Sequence, residues 1–208
     1  MMHFLSTRSG AVRLYVLTVV SAIIMTACTV SEPVTPRSGY AIVGATGASP
    51  NAPGWTREKL TSSTAVFVAR GPNDGETSVA RTEIYRGVPN SSQVSDRDLL
   101  AAITDVYFER GTGRYKFISN KRSSTHLNGK ACEMFRIVAQ DLKAPPGAGS
   151  GVLFMKAQGI ACRHPKDDAT MLVVDVSNRS NAKSFSAATQ SAANQFFADI
   201  QFTENGLQ

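Results

Sequence analysis

Residues that do chemistry are scarce in this chain. Its 208 residues include three histidines and three cysteines, and His3 falls in the first few positions. There is no G-x-S-x-G and no H-E-x-x-H, which excludes a nucleophile elbow and a zinc-protease helix. Gly111-Thr112-Gly113-Arg114 follows a predicted helix and precedes a predicted strand. A phosphate loop needs the reverse order, so this is a helix C-cap and turn. Concentrated charge is missing too. With 22 basic and 16 acidic residues the net charge is +6, too diffuse for a nucleic-acid partner. The apolar run Leu14 to Met25 is twelve residues long, short of the ~20 that a membrane-spanning helix requires.

What is there begins with that run. Met1 to Arg13 is polar, with Arg8 and Arg13 and no acid, and Met25-Thr26-Ala27-Cys28 closes the apolar stretch. This is the three-part layout of an export signal. The tetrapeptide resembles the lipobox of bacterial lipoproteins, with Met25 in place of the usual Leu. The resemblance implies cleavage before Cys28 and acylation of Cys28, which would tether the protein to a membrane. Thr29 is not the Asp that resembles an inner-membrane retention signal, so the expected address is the outer membrane, facing the periplasm. The plainer alternative is an ordinary export signal with Cys28 incidental.

Removal of residues 1–27 would leave 181 residues with 20 basic and 16 acidic side chains, a net charge of +4. That is enough chain for one domain with a proper core. With Cys28 committed to lipid, Cys132 and Cys162 remain, and in an oxidising compartment they are expected to pair. If they face each other across an antiparallel hairpin, Phe135 stands opposite Gly159, Ile137 opposite Ala157 and Ala139 opposite Met155. That face is apolar and should meet the helices. The other face sets Arg136 opposite Gln158 and Val138 opposite Lys156, and is expected to be partly solvated.

Residues 28–54 are rich in Pro, Gly, Ser and Thr and are expected to form a flexible tether. Its one apolar cluster, Tyr40 to Val43, could instead pair as an edge strand. The globular domain is expected over 55–208. Strands are predicted at 64–70, 78–86, 115–123, 131–140, 151–162 and 170–177. The Asn128-Gly129 turn is a hairpin signal. Ser95-Asp96-Arg97-Asp98 resembles a capping box and opens a helix through Glu109, with Leu99, Ile103 and Val106 on one stripe. A last helix is predicted over 182–202, with Phe185, Ala188, Ala192, Phe196 and Ile200 at helical spacing. The order ββαββββα describes an α+β fold, an antiparallel sheet of about six strands with helices packed on it. On element order over Trp55 to Phe202 it resembles the PsbP-like fold.

Three features are candidates for function. His126, His164 and Asp167 fall at one end of the sheet and could ligate a divalent metal, although their spacing matches no metal motif. Arg114, Lys116, Lys121, Arg122 and Lys130 flank one hairpin. They suggest either contact with an anionic envelope component or a solvated face whose lysines discourage strand pairing. The uncharged loop 144–151 is long for a hairpin. The function expected is therefore that of a non-catalytic binding or accessory module of the envelope, needing no cofactor. Its partners would be the membrane, through Cys28, and an envelope protein or anionic component. The alternative is a metal-dependent enzyme using His126, His164 and Asp167.

Overall fold

The computed structural model describes residues 31–73, 75–108, 112–144 and 152–207. The expected export signal over residues 1–27, Cys28 and most of the 144–151 loop lie outside the described residues. In chain order the elements are β1 (Glu32–Pro33), β2 (Gly39–Ile42), β3 (Ala45–Ala48), β4 (Trp55–Leu60), β5 (Thr64–Arg70) and β6 (Thr77–Arg86). Helix α1 (Asp96–Tyr107) follows, then β7 (Tyr115–Leu127), β8 (Lys130–Asp141), β9 (Phe154–His164) and β10 (Asp167–Ser180). Helix α2 (Ala187–Ala198) and β11 (Gln201–Phe202) complete the described chain.

The fold is α+β, as the periodicity predicts, but the main sheet has eight strands rather than about six. Their order is β1-β4-β5-β6-β10-β9-β8-β7, every pair antiparallel. The run Met171 to Val176 on β10 is buried on both faces. Its unbroken apolar pattern, interrupted only by Asp175, is that of a central strand, and β10 lies inside the sheet.

One face of the sheet carries Phe135, Ile137, Ala139, Met155 and Val173, which pack with Leu99, Leu100 and Phe108 of the α1 segment. The opposite face carries Phe67, Leu172, Val174 and Val176. It packs with Ala193, Phe196 and Ile200 and with Tyr40, Ile42 and Ala45. Those last three belong to a second, three-stranded sheet ordered β11-β3-β2.

This second sheet corrects the tether expectation. Residues 39–48 form a hairpin whose Tyr40, Ile42 and Ala45 are buried, and Tyr40 Oη shares a 2.5 Å hydrogen bond with Thr82 Oγ1. Four alternating positions sufficed to place two side chains in the core. Even the polar residues before them are engaged. Ser31 donates to Glu58, and Glu32 pairs with Arg57. Residues 31–54, expected as tether, therefore belong to the folded domain.

Both helices differ in detail. Ser95 caps α1, its hydroxyl accepting from Asp98 N at 3.1 Å, as the capping box predicts. Val106, expected on the buried stripe, is 82% exposed because Leu99, Leu100 and Thr104 define the inward face. Helix α2 begins only at Ala187, where Ser186 accepts from Thr189 N at 3.1 Å. Its buried residues are Ala193, Phe196 and Phe197, and Ala188 is exposed. Residues 182–185, expected to be helical, are instead a segment laid across the sheet.

The predicted hairpin register holds. Phe135 faces Gly159, Ile137 faces Ala157 and Ala139 faces Met155. Cys132 and Cys162 are joined by a disulfide, with their Cα atoms 4.5 Å apart. The turn Asn128-Gly129 has φ of 51° and 78°, as a two-residue hairpin of this kind demands.

Candidate functional site

The side chains expected to be solvated beside the disulfide hairpin form the floor of a groove. Arg136 and Val138 on β8 and Lys156 and Gln158 on β9 point to the same face as α2, two cross-strand pairs in register. The segment before α2 covers them in part, contributing Lys183, Phe185 and, from the first turn of the helix, Gln190. The cavity so formed is about 560 Å³, within the range of small-molecule sites. Among the described residues no carboxylate lines it. The N-terminal turn of α2 adds the positive end of its dipole.

Of the face expected to be partly solvated, Arg136 on β8 is exposed but Lys156 and Gln158 on β9 are buried. The roof explains why. Lys156 Nζ donates to Ala182 O at 2.7 Å and to Ser180 Oγ, tying down the segment that precedes α2. Gln190 Nε2 donates to Gln158 Oε1 at 3.0 Å. Burial pushes the Lys156 ammonium down to about 8, against an opposing pull from Glu76. Lys183 is exposed, its Nζ 5.2 Å from the centre of the Phe154 ring. Arg136 is also exposed. The groove thus offers two accessible cations, one part-titrated buried amine and an apolar wall from Val138 and Phe185.

Ser180-Asn181-Ala182-Lys183 has the S-x-x-K spacing of some serine hydrolases. Here the hydroxyl meets Lys156 rather than Lys183. Ser180 is not among the residues lining the groove, so the contact is a structural tie.

The histidine reading is corrected. His164 is buried with both ring nitrogens engaged: Nε2 lies 2.9 Å from Thr203 O, and Nδ1 accepts from Lys166 N at 3.2 Å. Asp167 accepts from Ala169 N and Thr170 Oγ1, holding its own turn. His126 is exposed on the edge strand β7. Among the described residues no three His, Cys, Asp or Glu side chains gather to hold a metal. The sequence placed these residues at one end of the sheet correctly, but the lone pairs of His164 Nδ1 and Asp167 serve turns.

The basic cluster is divided. Arg122 turns to the α1 face and donates to Thr104 Oγ1 at 3.0 Å. Arg114 lies 3.7 Å from Asp141 and over the Tyr115 ring. Lys130 sits at the β7–β8 turn, opposite Leu127. Lys116 and Lys121 are exposed on the groove's face, and Lys121 stands opposite Arg136. None of the five lines the groove, and Lys121 alone stands opposite a residue that does, Arg136. Lys156, Lys183 and Gln190 were missed. The visible signal was the polar pair Arg136 and Gln158 in the middle of an otherwise apolar hairpin.

No family model matches the chain, and no curated protein matches it with significance. Solved structures do. A mutant of the protein Mog1 is 11% identical with a TM-score of 0.51, the match covering 83% of this chain and 99% of that one. The Saccharomyces cerevisiae Ran-binding protein Mog1p is 10% identical at a TM-score of 0.46, over 79% and 94% of the two chains. A Bacteroides thetaiotaomicron protein is 10% identical at 0.32, over 83% of this chain and 50% of that one. The first likeness shows a shared fold and nothing of function; the other two carry no argument.

Proposed function

We propose that this chain is an exported lipoprotein, anchored through Cys28 in the outer membrane and facing the periplasm. It acts there without catalysis, by binding an anionic, partly apolar envelope component in the groove between the β8–β9 hairpin and the start of α2. The observation that carries the binding reading is the lining: Arg136, Lys156 and Lys183 share it with Val138 and Phe185, with no acid among the described lining residues. A low-dielectric wall strengthens each cation's attraction for a bound anion, and the apolar side chains take an acyl or ring substituent. The anchor reading rests on the Met25-Thr26-Ala27-Cys28 motif and its position at the end of the apolar run. The disulfide between Cys132 and Cys162 accords with an oxidising compartment.

Two measurements test this. Fatty-acid labelling in a bacterial host should mark the protein and be lost in Cys28→Ala. Titration of residues 31–208 with octyl phosphate, kept below its micellar concentration, should give saturable binding. The Arg136→Glu, Lys183→Glu double variant should weaken it at least tenfold. Equal binding of uncharged octyl glucoside, or an unchanged double variant, would contradict the reading.

A further inference from the structure

We propose that one pole of the domain, carrying Lys59, Leu60 and Lys166, rests against the surface of the bilayer that holds Cys28, so that the groove faces away from it. This deepens the functional reading and rests on its lipid anchor.

The length of chain between Cys28 and the sheet limits how far the domain can stand from the bilayer. Ser31 is already fixed to Glu58, and Glu32 is paired with Arg57. Only three residue steps separate Cys28 from Ser31, a reach of at most about 10 Å. A 25-residue tether would let the domain tumble far from the membrane; three residues hold it there.

Strand direction decides which surface is held down. β1 runs antiparallel to β4, with Glu32 opposite Arg57 and Pro33 opposite Thr56. The chain before Ser31 therefore leaves toward the end of β4, where Lys59 and Leu60 lie. Leu60 is 43% exposed and Lys59 is exposed beside it. The β4–β5 turn adjoins the β2–β3 turn through Val43 N to Ser62 O at 2.6 Å. Gly44 N in turn donates to Asn205 O at 2.9 Å, and Lys166 Nζ lies 3.5 Å from the neighbouring Glu204. These turns form one continuous end of the molecule.

The chemistry of that end suits a lipid headgroup layer. An exposed leucine flanked by a lysine enters the interface while the ammonium stays among the phosphates, and the Lys166–Glu204 pair beside it brings no net negative charge. From this pole β10 runs the length of the sheet, 14 residues from Asp167 to Ser180. At the usual rise per residue that is about 40 Å. Lys156 contacts Ser180 at the far end, so the groove lies on the half of the sheet remote from this pole.

The test uses full-length lipidated protein in vesicles of phosphatidylethanolamine and phosphatidylglycerol with brominated chains. With Cys132 and Cys162 joined and Cys28 acylated, an introduced cysteine is the sole free thiol. Leu60→Cys and Asn73→Cys, the latter on the β5–β6 turn at the opposite pole, each receive a polarity-sensitive fluorophore. Intact mass first establishes acylation. With the lipid present, quenching several-fold stronger at residue 60 than at residue 73 supports the placement. Equal quenching, or stronger quenching at 73, overturns the placement and leaves the anchor standing. A mature protein without lipid overturns both.

Discussion

Glu32 stands opposite Arg57 in the pairing of β1 with β4, and their side chains form an ion pair. This contact joins the first described residues to the main sheet, just four positions after Cys28. A surface pair of this kind contributes little energy by itself. Its value is positional, because it fixes residues 31–33 to the edge of the main sheet.

If residues 39–48 are core rather than tether, side chains there carry stability. Ile42, 5% exposed, sits with Phe67 and Phe196 in one cluster. Ile42→Ala is expected to destabilise the domain by about 2–5 kcal/mol in urea unfolding. A silent substitution would return this segment to a tether.

Gly159 lies directly against the Phe135 ring. A Cβ on residue 159 would fall 2.4 Å from Phe135 Cζ and 2.6 Å from Val174 O. Neither the sheet backbone nor a ring that is 1% exposed has room to yield. Gly159→Ala should cost roughly 1–3 kcal/mol through overpacking, read as a lowered urea midpoint at unchanged slope. Gly159→Ala paired with Phe135→Leu should recover part of it.

How much of this was legible in the sequence varies with the physics. The β8–β9 register could be read because two cysteines, the uncharged loop 144–151 and an alternating face all demanded the same pairing. The helix stripes were rotated by about one residue because small side chains, such as Ala188 and Ala193, fit either side. Residues 39–48 were misread because composition dominates a short segment, whereas burial there depends on a distant sheet. The groove was invisible as a groove. Its floor showed as polar residues at alternating positions, but its roof comes from a segment whose helix starts five residues later than periodicity suggests. His164 looked available because a sequence does not show the backbone carbonyl at residue 203.

Asp175 is fully buried, 3.1 Å from Arg81 Nε. Burial raises its carboxyl from 3.8 to about 6, against the opposing effect of Arg81. The folded state therefore binds the proton more tightly than the unfolded state between those values. Its contribution to stability is present below about pH 4 and is lost as pH rises toward 6. Asp175→Asn should flatten this fall in a series of thermal melts across pH 4–7. An identical profile in the variant would remove Asp175 as its source.

Lys156 sets a pH dependence for binding. Its amine, pushed down to about 8, is mostly charged at pH 7 and mostly neutral at pH 9. Affinity for an anion in the groove should fall across that window, and the fall should vanish in Lys156→Met. The same shift has a stability consequence of its own. Because the folded pKa lies below the ordinary lysine value of 10.5, the fold gains stability as pH rises from about 8. Titrations at pH 7 and pH 9 in matched salt separate the binding effect from general screening.

The most direct test of the central claim is where an anionic amphiphile binds. Backbone and side-chain nitrogen-15 shifts of the domain, followed during titration with octyl phosphate, should move at Arg136, Lys156, Gln158, Lys183 and Gln190, with saturation. Shifts centred on Lys116 and the outer edge of β7, or spread evenly over the surface lysines, would contradict the groove as the binding site.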